Sequence, residues 1–139
     1  MNQYERLENY QKNGFTKEAF KDEFWWIRKE AYKELGFTKE ALKDESWQIR
    51  QDAYRKLGYT GEALKDRSGL VRLKAYEQFG FTKEALKDES WHIKLEAKEY
   101  LETIKDIDLE NAPLFLTHKK RSIRNFAKRI LNHEQPRKV

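Results

Sequence analysis

Acidic and basic side chains recur at a fixed distance from one another, and they are the first residues of this chain that could do chemistry. In four places an Asp is followed six residues later by Arg or Lys, and successive pairs are 22 residues apart. The pairs are Asp22 and Arg28, Asp44 and Arg50, Asp66 and Arg72, and Asp88 and Lys94. A catalytic acid–base pair is needed once in a site, whereas a pair that supports packing is repeated with the packing. We therefore interpret these residues as structural.

The motifs that build the common catalytic and cofactor sites are missing from the sequence. The histidines, His92, His118 and His133, have no metal-ligand spacing, and there is no cysteine. The glycines stand singly, so there is no glycine-rich phosphate loop, and no Gly-x-Ser-x-Gly turn occurs. We predict that the protein is not an enzyme and that it uses no cofactor and no metal ion.

The chain is organised by a 22-residue repeat that begins at each of four glycines. These are Gly14, Gly36, Gly58 and Gly80. A fixed period in this range is typical of stacked-repeat architectures. In the second repeat, Thr38 is a candidate N-cap for a short first helix, and Asp44 and Ser46 are candidate caps for a second helix. Each repeat is therefore predicted to be a pair of short helices.

The second helix of each repeat has the pattern of an amphipathic helix. Ile49, Ala53 and Leu57 are spaced four apart and predict one apolar stripe facing the core, with Tyr54 on a neighbouring face. Gly58 is expected to close the repeat in a left-handed C-terminal turn, which glycine enters without steric penalty. The aromatic residue that follows each such glycine is expected to pack the turn back onto the helix pair.

This second helix resembles that of HEAT-like repeats, whose pattern is Asp, five residues, Arg, two residues, Ala, three residues, Leu-Gly. Here the matching residues are Asp44, Arg50, Ala53, Leu57 and Gly58, and the match recurs over most of the chain. The resemblance implies an all-α fold, a right-handed α-solenoid (α-α superhelix) of about five short HEAT-like helix pairs. It also implies a ladder in which each Asp binds the basic residue of an adjacent repeat.

The repeats predict a single HEAT-like domain over residues 1–139. Its parts are an N-terminal capping helix, four 22-residue repeats, a spacer, a diverged basic repeat and a tail, at residues 1–13, 14–101, 102–109, 110–132 and 133–139. In the diverged repeat, Pro113 is expected in the first turn of the first helix, and His118 stands where the other repeats have Asp. Asn132 is expected to end the second helix in place of glycine, and residues 135–139 to fray.

Positive charge is concentrated at the C-terminal end of the chain. Residues 118–139 hold eight Lys and Arg and one Glu, whereas the remainder is slightly acidic. Lys120, Arg124 and Lys128 are spaced four apart and would form one helical stripe. The candidate nucleic-acid contacts are Lys119, Lys120, Arg121, Arg124, Lys128 and Arg129. One hypothesis is salt-dependent phosphate binding, and the other is a solvated end cap that keeps the chain soluble.

Membrane association is not predicted. No apolar run approaches membrane-spanning length, and the first residues contain no apolar signal segment. We therefore expect a cytoplasmic protein.

A second candidate surface lies on the second helices, along a line of residues that changes from repeat to repeat. Stacking turns such a face into a continuous binding surface. The candidate partner-binding residues are Trp26, Gln48, Leu70, Leu73, His92 and Leu95. The three leucines would form an apolar patch, or else they pack between the third and fourth repeats. In the third repeat Gly69 replaces the Trp of the others, and we expect a bend or repacking there rather than a notch.

These observations favour a non-catalytic protein–protein interaction module, a small adaptor or inhibitor that binds a partner on its second-helix face. Self-association is also compatible with this reading. The alternative is sequence-nonspecific nucleic-acid binding through the basic C-terminal helix. A remote alternative comes from the HEAT-like DNA glycosylases, which use aromatic and acidic side chains on a concave face. This chain has those residue types, but its acids lie at repeat positions that packing explains.

Overall fold

The computed structural model describes the backbone of residues 1–137 and the side chains of residues 1–132. Within this range every regular element is helical, so the predicted all-α class is confirmed. The α-helices are α1 Gln3–Asn13, α2 Trp25–Leu35, α3 Trp47–Leu57, α4 Gly69–Phe79, α5 Trp91–Ile104 and α6 Arg121–Arg137. Between them lie the 3₁₀ helices η1 Lys17–Lys21, η2 Lys39–Lys43, η3 Gly61–Lys65, η4 Lys83–Lys87 and η5 Ala112–Phe115.

Contacts divide the chain into two compact units, Met1–Thr60 and the part that begins at Gly61. The N-terminal unit contains α1, α2 and α3, and the C-terminal unit contains α4, α5 and α6. Both are built from the same element, a 3₁₀ turn packed against the α-helix that follows it.

The first helix of each repeat is a 3₁₀ turn of five residues rather than an α-helix. Thr38 stands at the N-cap position, but its side chain forms no capping hydrogen bond, so that prediction is wrong. Its carbonyl oxygen accepts the Ala41 N–H instead, at 3.0 Å. Ala41 is fully buried, as are its equivalents in the other repeats. The small side chain lets this tight turn lie close against the second helix.

The core stripe of the second helix differs from the predicted one. Ile49 and Ala53 are fully buried, but Leu57 is half exposed, and Tyr54 is buried in its place. The cause is the sharp turn at Gly58, which brings Tyr59 back so that its ring stacks on Tyr54 at a centroid distance of 5.9 Å. The ring pair, rather than Leu57, therefore covers the end of the core.

Each repeat-starting glycine has a positive φ, as predicted, but not in the left-handed helical region. The four glycines have φ of +95° to +107° and ψ of +139° to +147°, and each donates its N–H to the carbonyl of the Tyr four residues earlier. This extended conformation is essentially restricted to glycine. The aromatic residue after each glycine stacks on that same Tyr, which confirms the predicted packing of the turn.

The last helix of the C-terminal unit packs against both α4 and α5. Asn125 Nδ2 donates to the Glu77 carbonyl at 3.2 Å, and Arg129 Nη1 donates to the Gln78 carbonyl at 3.1 Å. Carbonyls in the last turn of a helix lack intrahelical partners, so these bonds satisfy the end of α4 while they fix α6. Arg129 Nη2 also donates to Tyr100 Oη at 3.3 Å.

Two predicted boundaries near the C-terminus are wrong. Helix α6 continues through Asn132 to Arg137, because Asn fits a helix interior at small cost and no glycine imposes a turn. Residues 135–137 thus belong to the helix rather than to a frayed tail, and residues 138–139 lie outside the described part. Helix α5 likewise extends to Ile104, into the predicted spacer, where Glu102 replaces the repeat's glycine. Pro113 lies in the first turn of η5, as predicted.

Candidate functional site

The recurrent acidic and basic residues form the ladder that the HEAT-like resemblance implies. In the N-terminal unit, Arg28 donates two hydrogen bonds of 2.9 Å to the Asp44 carboxylate, from Nε and Nη2. The same bidentate geometry joins Arg6 to Asp22 at 2.8 and 3.0 Å, and in the C-terminal unit Arg72 to Asp88 at 3.0 and 2.9 Å. Each pair links one repeat to the next.

Each ladder residue also stabilises its own repeat. Arg28 Nη1 donates to the Asp22 carbonyl at 2.7 Å, and the equivalent bond recurs in the next two repeats. Asp44 Oδ1 accepts the Ser46 N–H at 2.8 Å, so the carboxylate closes the turn before α3. Ser46 is the N-cap residue by position, but its hydroxyl donates to Gln48 instead of capping, contrary to the prediction.

These contacts shift the ionisation of the ladder carboxylates. The hydrogen bond from Arg6 lowers the pKa of Asp22, against the opposing effect of burial. For Asp88, burial raises the pKa, but the bonds from Arg72 and the Ser90 N–H outweigh it, so the net pKa is lowered. Stability from these pairs is therefore present above the ordinary Asp pKa and is lost as the pH falls through the lowered value. The groups support packing, as the sequence predicted.

On the second helices of the N-terminal unit, the candidate partner-binding residues are partly engaged in local contacts. Trp26 is exposed at its edge, and its ring lies 4.9 Å from Lys29 Nζ, in a cation–π contact that also involves Trp25. The Lys29 ammonium is 3.9 Å from the buried carboxylate of Asp52. Gln48 accepts a hydrogen bond from the Ser46 hydroxyl. This face combines an indole with a fixed cation.

In the C-terminal unit, the predicted leucine patch is only partly exposed. Leu70 on α4 is 52% exposed and Leu95 on α5 is 39% exposed. Leu73 is half-buried and packs against the core cluster that includes Tyr76 and Ile93. Leu73 thus agrees with the packing alternative, whereas Leu70 and Leu95 remain accessible.

Sequence reasoning missed Trp91, the first residue of α5, which is 75% exposed. Its counterpart Trp25 is half-buried against the core of the following repeat. The available signal was the spacer at residues 102–109, because it interrupts the repeat that would have covered Trp91. Trp91 and Leu95 are one helical turn apart and lie on the same face of α5.

The helix starts of α4 and α5 approach each other closely where the repeat has lost its indole. A Cβ built on Gly69 would lie 3.6 Å from Ser90 Cβ, an ordinary van der Waals contact. The position next to Gly69 is bordered by Arg72 and Ser90, and the expected bend or repacking stays a prediction. Leu70 follows Gly69 on α4, and Trp91 follows Ser90 at the start of α5. We call Leu70, Trp91 and Leu95 the apolar surface.

An open groove of about 690 Å³ borders Leu95 and runs between α5 and the start of α6. Lys120 Nζ crosses it to both carboxylate oxygens of Glu96, at 2.8 and 3.1 Å, and lies 3.8 Å from Glu99. His92, a candidate partner residue, is exposed and lies 3.6 Å from the same Glu96 carboxylate. These contacts raise the pKa of Lys120, chiefly through the hydrogen bond with Glu96.

Half of the six candidate nucleic-acid contacts are tied into the fold. Lys120 is held by Glu96, Arg124 Nη1 donates to the His118 and Lys119 carbonyls, and Arg129 binds Gln78 and Tyr100. Helix α6 begins at Arg121, so Lys120 precedes the helix and does not share a helical stripe with Arg124 and Lys128. Lys119, Arg121 and Lys128 are exposed, and their side chains make no described contact; Arg129 is also exposed, although it binds Gln78 and Tyr100.

Among residues whose placement is described, no group of three or more His, Cys, Asp or Glu is arranged to hold a metal ion. In that same part of the chain, no helix has the length and apolar composition needed to cross a bilayer. Comparison of the chain with protein-family models, with curated proteins and with solved structures found no match.

Proposed function

We propose that this protein is a non-catalytic protein-binding module, an adaptor or inhibitor, that binds its partner on the apolar surface of the C-terminal unit. The observation that carries the proposal is the 75% exposure of Trp91, one helical turn from the exposed Leu95 on α5, with Leu70 exposed on α4. Tryptophan is the residue type most enriched among binding hot spots, and clustered exposed apolar side chains mark interaction sites.

The apolar surface is well suited to act as a preformed anchor. Trp91 is the first residue of α5 and Leu70 is the second residue of α4, and Gly69 lies close to Ser90, the N-cap residue of α5. Arg72 and Asp88 join the same two repeats through a bidentate ion pair. Because these residues stand on helical backbone, little backbone freedom is lost on binding, which favours affinity. We infer a partner that offers an apolar pocket for the indole, next to polar groups that face Glu96 and His92.

We further propose that the repeats form a right-handed α-solenoid, as the HEAT-like resemblance implies. Support comes from inside each unit, where the same bidentate Arg–Asp pair joins consecutive repeats. A repeated contact of fixed geometry generates a superhelical stack, and the curved face of such a stack is a common binding surface.

Nucleic-acid binding has weaker support than protein binding. Of its six candidate residues, only Lys119, Arg121 and Lys128 are exposed and have side chains without a described structural contact. Three phosphate contacts give modest affinity at physiological salt. We therefore do not propose nucleic-acid binding as a second function, but the experiment below would detect it.

The test is quantitative capture from nuclease-treated native lysate with immobilised protein. Changing Trp91→Lys together with Leu95→Lys should reduce recovery of the captured protein at least about 30-fold, the effect of losing a hot spot. The matched control is Leu114→Lys, since Leu114 is 78% exposed and belongs to a different element, η5. The control should capture like the wild type, and all variants should unfold within about 0.5 kcal/mol of it.

Two results would contradict the proposal. One is equal capture by the wild type and the Trp91, Leu95 variant. The other is capture that survives this variant but disappears when Lys119, Arg121 and Lys128 are changed to Glu, or capture that occurs only from lysate that has not been treated with nuclease. That pattern would assign binding to nucleic acid.

A further inference from the structure

His118 occupies the position that Asp holds in the four regular repeats, and it makes the same backbone contact. Each of those carboxylates accepts the N–H of the residue two positions later, at 2.7 to 2.9 Å. His118 Nδ1 accepts the Lys120 N–H in the same way, at 3.0 Å. The rest of the local structure is also kept, because Arg124 Nη1 donates to the His118 carbonyl at 2.6 Å, as Arg28 does to Asp22. His118 is thus the turn-closing residue at the start of α6.

The substitution changes how this turn responds to acid. A ring nitrogen can accept a hydrogen bond only while it carries a lone pair, so Nδ1 must be unprotonated for this contact to exist. Histidine is the side chain that ordinarily changes charge between pH 5 and 8. A carboxylate keeps its acceptor oxygens to much lower pH. Protonation of His118 at Nδ1 would place two N–H donors, those of Nδ1 and Lys120, opposite each other. It would also add a positive charge at the positive end of the α6 dipole.

The charges around His118 do not override this effect. The groove that His118 lines contains three carboxylates and three ammonium groups, from Glu96, Glu99, Glu102, Lys98, Lys119 and Lys120. Arg124, in the helix that follows His118, adds a further cation. The imidazole ring of His118 stacks on the uncharged ring of Phe115, with 6.2 Å between the ring centroids. Among the described residues, the charges around the ring are therefore of both signs, and none of these carboxylates forms an ion pair with it.

We infer that His118 is an acid-sensitive cap that holds the start of α6 at neutral pH and releases it as the solution is acidified. The segment that it holds carries Lys120, which is bound to Glu96 in the groove. Acidification therefore loosens the α6 wall of that groove while the Asp-closed turns stay intact. The inference rests on this geometry and does not depend on the proposed function.

The test compares the full-length wild type with His118→Asp, which restores the residue of the regular repeats. Hydrogen exchange of the α6 amides, corrected for intrinsic rates, is measured at pH 7.5 and pH 5.5. In the wild type, protection should fall about five- to tenfold at the lower pH, the scale of losing a helix cap. In His118→Asp it should change by less than about twofold. His92→Gln is the control for the other described histidine and should keep the wild-type response.

Equal loss of protection in the wild type and in His118→Asp would overturn the inference. Should the Asp variant fail to fold, His118→Asn supplies a non-titrating acceptor for the same comparison. A measurement on the wild type alone tests independently whether His118 Nδ1 accepts the hydrogen bond. The ¹⁵N shifts of the His118 ring at neutral pH should show hydrogen on Nε2 and none on Nδ1, and a Nδ1–H tautomer would exclude the cap.

Discussion

Replacing Gly80 with alanine will destabilise the protein by about 2–6 kcal/mol, more than the same change at any other repeat-starting glycine. A non-glycine residue at φ +96° with extended ψ costs roughly 1–3 kcal/mol. At Gly80 a steric cost is added, because a Cβ would lie 2.5 Å from Tyr100 Oη and 3.0 Å from Arg129 Nη2. Tyr100 is buried and its ring packs against Phe81 and Phe126, so overpacking adds about 1–3 kcal/mol.

Gly36 provides the matched control for this prediction. Its φ is +104°, and nothing lies within 4 Å of the position that a Cβ would take. Gly36→Ala should therefore cost only the backbone strain, roughly 1–3 kcal/mol. The measurement is denaturant unfolding of both variants under the same conditions. Equal losses would show that the docking of α6 and Tyr100 over the Gly80 turn contributes nothing.

Replacing Arg28 with leucine will cost about 2–4 kcal/mol of unfolding free energy, because it leaves the carboxylate of Asp44 largely buried without its bidentate partner. The same change removes the hydrogen bond to the Asp22 carbonyl. Lys33→Leu is the control: Lys33 is half exposed and lies 3.8 Å from Glu30 on the same helix. An exposed pair of this kind contributes less than about 0.5 kcal/mol.

The ladder also tests the proposed solenoid, because Arg28 and Arg72 belong to different compact units. In one cooperative array, Arg28→Leu and Arg72→Leu should each lower a single melting transition by similar amounts. Two separate transitions, each sensitive to only one of the changes, would contradict the array. Calorimetry of the full chain distinguishes the two results.

The features that recur in every repeat could be predicted from the sequence, because each depends on a few residues that are close in the chain and return every 22 positions. The glycine–aromatic turn follows from one residue type that tolerates positive φ and from the stacking partner that returns after it. The Arg–Asp contact follows from the HEAT-like pattern of the second helix. In both cases the same residues recur in equivalent surroundings, so one interpretation serves the whole series.

The features that sequence reasoning missed depend on contacts that do not repeat. Leu57 and Tyr54 both fit an amphipathic helix, and only the turn at Gly58 decides which of them is covered. In the sequence Arg129 resembles any exposed cation, and only the packing of α6 on α4 gives it a hydrogen-bond partner, the Gln78 carbonyl. The exposure of Trp91 depends on where the spacer displaces the next repeat. Such outcomes depend on tertiary packing, which spacing along the chain does not specify.

The central claim, that the apolar surface binds another protein, is tested most directly by site-specific photo-crosslinking in cells of the native source. A photo-reactive amino acid is placed at Leu95, and in a second strain at Leu114 as the exposed control. We predict one discrete, nuclease-resistant protein adduct from position 95, absent from position 114 and lost when Trp91→Lys is added. Equal crosslinking from both positions, no adduct from position 95, or an adduct that nuclease removes would contradict the claim.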